Sequence, residues 1–92
     1  MFLEISKANY IEGYKIELQF NNGENWLVDL ENELNGTAFT PLKNKIFFQN
    51  FKIVFNTIEW ENGADFAPEY LYELAKCQHQ IASEPKSEYG GN

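Results

Sequence analysis

Tyr14, Ile16, Leu18 and Phe20 alternate with Lys15, Glu17 and Gln19. A period of two marks a strand with one buried face and one wet face. Asn21-Asn22-Gly23 follows as a turn signal, since Asn and Gly both tolerate positive φ. Trp26, Val28 and Leu30 then alternate with Asn25, Leu27 and Asp29, so this stretch predicts a β-hairpin. Upstream, Phe2 to Ala8 predicts a first strand at a sheet edge, with Gly13 as punctuation. Downstream, Glu31 to Gly36 predicts a short helical turn or loop. Thr40-Pro41-Leu42 predicts a turn or the start of a brief helix, where proline suits the first position. Lys43 to Phe48 carries no decisive period.

Phe51, Ile53 and Phe55 alternate with Lys52 and Val54, which predicts another strand, with a turn at Asn56-Thr57. Ile58-Glu59-Trp60 predicts a further short strand ended by Asn62-Gly63. Pro68 opens the one clear helix. Tyr70, Leu71, Leu74, Cys77 and Ile81 lie along one side of it at helical spacing. Glu69 and Glu73 sit near its start and Lys76 nearer its end, as the helix dipole favours. Strands first and a helix last predict an α+β fold: a small, mainly antiparallel sheet of N-terminal hairpins packed against one C-terminal helix. Residues 1–82 are expected to form one domain, and residues 83–92, rich in Ser, Glu, Lys and Gly, a flexible tail.

Composition adds two things. Aromatic residues are 16% of the chain, enough large rings to give a small domain a real core. Fourteen acidic residues face seven lysines and no arginine, for a net charge of −7. Phosphate recognition relies on cations, and arginine is its preferred fork, so direct nucleic-acid binding is not expected. The acidity keeps the chain soluble or presents a surface to a basic partner. One cysteine, Cys77, leaves no internal disulfide. The N-terminus lacks a signal-like apolar run, and no stretch is long enough to cross a bilayer. A cytoplasmic location with no membrane contact is expected.

The residues that could carry chemistry are few. Cys77 and His79 stand two apart on a helix and do not face each other. One cysteine and one histidine fall short of a structural zinc site. Glu59, Glu61 and Asp65 surround the Asn62-Gly63 turn. They read as a solvated rim or as carboxylates holding a divalent metal for hydrolysis. No glycine-rich phosphate loop is present, and no cofactor is expected.

The segment Trp60 to Pro68 packs a large aromatic, a turn pair, an aspartate and a helix-opening proline into one run. In a structural reading Trp60 fills the core and Asp65 binds backbone amides ahead of the helix. In a functional reading Trp60, Asp65 and Tyr72 form a recognition surface, since aromatics are enriched at binding hot spots.

Together, Gly13 to Glu24, Val28-Asp29-Leu30, Pro41-Leu42-Lys43-Asn44, one of Phe47 and Phe48, and Trp60-Glu61-Asn62-Gly63-Ala64-Asp65 with Pro68, Leu71 and Tyr72 resemble a known family. It is the bacterial domain-of-unknown-function family 2442, and the resemblance spans roughly residues 1–75. Glu61 stands where the family often has proline, which loosens the turn. The resemblance implies a small α+β fold and no established activity. Some relatives look like antitoxin components encoded beside a small toxin. Others carry an added helix-turn-helix domain, for which the residues after the matching region leave no room. The expected role is a non-enzymatic protein-interaction domain, antitoxin-like toward a small basic protein. The alternatives are a self-associating homodimer and a metal-dependent hydrolase using Glu59, Glu61 and Asp65.

Overall fold

The computed structural model describes residues 2–83. Strands β1 (Ile5–Glu12), β2 (Lys15–Phe20) and β3 (Asn25–Asp29) form an antiparallel sheet in that order. Strands β4 (Lys52–Val54) and β5 (Thr57–Glu59) form a second antiparallel pair. Between them lie two 3-10 turns, Glu31–Glu33 and Thr37–Lys43, and a short helix α1 (Lys45–Gln49). Helix α2 (Pro68–Ser83) closes the fold. The predicted α+β architecture is present, and β1 is the edge strand expected of it. The predicted tail lies outside the described residues, apart from Ser83, which ends α2.

The period of two in β2 and β3 is realised directly. Ile16 faces Val28 and Leu18 faces Trp26 on the inner face. Lys7, Asn9, Glu17, Gln19 and Asn25 are exposed on the outer face. On β1 a register shift between Ile5 and Lys7 inserts Ser6. The extra residue flips the alternation, so Ile5 and Ala8 both turn inward although they are three apart.

The two Asn-Gly turns share one design. Gly23 N–H donates to the Phe20 carbonyl at 3.1 Å, and Gly63 N–H donates to the Trp60 carbonyl at 2.8 Å. The N–H groups of Phe20 and Trp60 return bonds to the carbonyls of Glu24 and Ala64, both at 2.9 Å. Only the glycines take positive φ, at 88° and 87°. The asparagine side chains do other work: Asn22 Oδ1 accepts from Glu24 N–H and Asn62 Oδ1 from Ala64 N–H. This is a longer hairpin loop with one left-handed glycine, not a turn with positive φ at both residues.

Helix α1 fills the stretch without a decisive period. Its start is fixed by Asn44, whose Oδ1 accepts from the N–H groups of Ile46 and Phe47 at 2.9 and 3.2 Å. Its one buried residue, Phe48, lies against Trp60 with ring centroids 5.5 Å apart. Trp60 also meets Phe51 and Phe66 at 6.1 and 6.0 Å, so three aromatic rings from α1 and two connecting segments converge on one indole.

Helix α2 is rotated from its predicted face. Leu71 and Ala75 are buried, with Tyr72, Leu74 and Gln78 half-buried beside them, while Cys77 and Tyr70 are exposed. Hydrophobicity alone would turn Cys77 inward and Gln78 outward. The reverse holds because Gln78 is satisfied by hydrogen bonds to Asp29 on β3.

Candidate functional site

The β4–β5 hairpin carries two exposed apolar side chains, Ile53 and Phe55. Val54 pairs with Thr57, so the loop is the two residues Phe55-Asn56, one position earlier than the pattern predicts. Both have positive φ, 50° and 71°. Such a turn prefers Asn-Gly or Asp-Gly, and a bulky side chain there is strained. Phe55 is nonetheless 92% exposed, so packing does not offset the strain. Ile53, on the same hairpin, is 42% exposed. Of the predicted apolar set Phe51, Ile53 and Phe55, only Phe51 packs against the core.

The reason lies with β5. Thr57 and Ile58 are buried, and the Thr57 hydroxyl donates to the Phe66 carbonyl. Glu59 bridges to Asp65 through the backbone. Asn56 O accepts from Ile5 N–H at 2.8 Å, which ties the loop to β1. Among the described residues strand β4 pairs only with β5, and no strand pairs with its outer edge.

Trp60, Asp65 and Tyr72 do not make a common surface. Trp60 is 2% exposed, and its Nε1 donates to the Phe48 carbonyl at 2.8 Å. It is a core residue with its polar atom satisfied. Asp65 is exposed, and among the described residues its carboxylate accepts no hydrogen bond; Asn62 supplies the side-chain bond in this loop instead. Asn62 Nδ2 also reaches the Ala38 carbonyl at 2.9 Å, fastening the loop to the long 3-10 turn. Tyr72 packs edge-on against Phe20 at 5.2 Å, in a different cluster.

That second cluster centres on Glu24, which sequence reasoning missed. Glu24 Oε1 accepts from Trp26 Nε1 at 2.8 Å and from the Tyr72 hydroxyl at 2.9 Å. These two bonds, with help from the Lys76 charge, hold its carboxyl below the usual 4.5 against a smaller opposing effect of burial. Lys76 Nζ lies 4.8 Å from the Tyr72 ring centroid, and His79 meets the Trp26 ring edge-on at 5.1 Å. The cluster ties the β2–β3 hairpin to α2. Its only sequence signal is that half-buried Trp and Tyr need polar partners.

A cleft of about 580 Å³ runs over the hairpin, lined by Asn50, Lys52, Val54, Glu59, Trp60 and Glu61. Lys52 stands directly opposite Glu59 in the β4–β5 register. Among the described residues, however, the ion pair is Lys15 with Glu12, and Lys52 and Glu59 are not joined. Glu59, Glu61 and Asp65 do not gather into a metal site. No group of three or more His, Cys, Asp or Glu side chains is placed to hold a metal ion among the described residues. Cys77 and His79 are both exposed. No described helix is long and apolar enough to cross a membrane.

Neither the curated proteins nor the solved structures contain a match to this chain. A family model described as "Protein of unknown function (DUF2442)" matches residues 5–76, from the first residue of β1 into α2. The match takes in all five strands and the Trp60 loop, so the chain belongs to the DUF2442 family.

Proposed function

We propose that this chain is a non-catalytic protein-interaction domain that docks a partner on its β4–β5 hairpin. The observation that carries the reading is Phe55, a bulky aromatic held at φ 50° and 92% exposed. A strained, exposed aromatic on a rigid scaffold suits a binding anchor. The net charge of −7 supports a basic partner, through electrostatic steering of the encounter. In that form the domain acts as an antitoxin-like protein that holds a small basic protein and covers its working surface. Among the described residues Glu59, Glu61 and Asp65 do not converge as a metal-holding group, which gives no support to the hydrolytic alternative.

The test is affinity capture of tagged chain from the cell of origin, read by mass spectrometry. One stoichiometric basic protein, whose activity is suppressed on co-expression, is the expected result. Recovery of the bait alone overturns the reading.

One observation favours a second reading, self-association. Among the described residues no strand pairs with the outer edge of β4, and such edges pair with other chains. Sedimentation over a range of concentrations decides it, since a monomer throughout excludes the homodimer.

A further inference from the structure

The cleft over the hairpin has a second recess beside it, with Asn50 in both linings. Asn50 stands at the C-terminal end of α1, and the second recess is a shallower depression of about 460 Å³ formed with Pro41, Asn44, Ile46 and Phe47. The two recesses have opposite characters. The α1 end is apolar: Ile46 is 74% exposed, and Phe47 is half-buried beside it. The hairpin end carries two carboxylates, Glu59 and Glu61, and one ammonium, Lys52. No ion pair joins these three among the described residues, so both carboxylates are free to accept from a ligand.

From this we infer that the two recesses bordered by Asn50 together form a groove that docks an extended segment of a basic partner protein. One apolar side chain lies against Ile46 and Phe47, and a lysine or arginine sits a few residues away at Glu59 and Glu61. Charge complementarity selects this occupant. The hairpin end has a net negative charge, and the chain's −7 makes a second copy of itself an unfavourable guest. An arginine can engage two carboxylates with its planar fork while its stem covers apolar surface. Lys52 opposes the incoming cation and favours a glutamate or a carbonyl next to it. The inference rests on the interaction reading above and adds to it the site and the sequence character of the bound segment.

The test is selection of phage-displayed random peptides on the immobilised full chain. Peptides of about nine residues reach about 30 Å when extended, comparable with the domain's 32 Å middle dimension. The enriched peptides are expected to pair an apolar residue with Lys or Arg at a fixed spacing. Binding of the strongest one should weaken about tenfold in E59Q/E61Q, the scale of losing a partly desolvated charge pair. It should also weaken in I46S, a substitution at an exposed position that leaves the circular dichroism spectrum unchanged. Absence of enrichment, or equal binding to folded E59Q/E61Q, overturns the inference. If a cellular partner captured by the wild-type chain is lost in Phe55→Asn but kept in E59Q/E61Q, the interaction reading stands and this groove is ruled out as its site.

Discussion

The side-chain amide of Gln78 closes a two-bond ring with the main chain of Asp29: Asp29 N–H donates to Oε1 at 2.9 Å, and Nε2 donates to the Asp29 carbonyl at 2.8 Å. In effect one glutamine side chain acts as the next strand at the outer edge of β3. Edge strands invite pairing with other chains, and covering them is a common defence. Helix α2 therefore protects the end of the three-stranded sheet that is not occupied by β1.

Gln78→Ala should remove both bonds and leave a strand-edge amide and carbonyl unsatisfied. The expected loss is about 1–3 kcal/mol in urea unfolding. A rise in self-association with concentration should accompany it. Unchanged stability would mean that water replaces the glutamine without loss.

Glu24 gives the fold a pH dependence of defined sign. Its carboxyl titrates below the usual 4.5 because Trp26 and Tyr72 donate to the carboxylate. The stabilisation is full above the unfolded glutamate value and is lost as pH falls through the lowered native value. Thermal unfolding of Glu24→Gln should therefore vary less with pH on the acid side than that of the wild-type chain. Tyr70 acts in the opposite sense. Its hydroxyl donates to Glu33, which together with burial and the Glu33 charge raises the phenol above 10.0. That contribution is present below the unfolded tyrosine value and disappears as pH rises through the raised one.

Trp60→Phe tests the core assignment. It leaves the Phe48 carbonyl without its 2.8 Å partner and opens a void where three aromatic rings converge. The expected cost is about 2–4 kcal/mol in chemical denaturation. A cost near zero would show that the indole is not the centre of packing.

Phe55→Asn tests the strain at the hairpin tip. Asparagine tolerates left-handed backbone, and the phenyl ring makes little contact to lose at 92% exposure. The variant should gain about 1 kcal/mol of stability. Destabilisation would show that Phe55 packs in solution.

The parts of this fold legible in the sequence are those fixed by local rules. Alternation between Tyr14 and Phe20 marks β2, the two Asn-Gly pairs place their turns, and Pro68 marks the start of α2. The errors arise where tertiary partners override local character. Phe55 reads as an inward strand residue but takes a turn position, because β5 spends both its faces on the core and leaves β4 outside. Gln78 reads as solvent-facing until Asp29 is seen beside it. For the site, the Trp60 loop is visible in the sequence as a specified segment. Its tryptophan proves to be a core residue, and an exposed aromatic stands five residues earlier, where the alternation of Phe51, Ile53 and Phe55 assigns it to an inner face.

Phe55 is the proposed binding anchor, held at the hairpin tip at a cost in stability. The most direct test is side-by-side affinity capture with the wild-type chain and Phe55→Asn, both confirmed folded. The account predicts that the wild-type chain retains a stoichiometric partner and that the more stable variant loses it. Equal capture by both would contradict the claim, and the hairpin tip would then have no part in recognition.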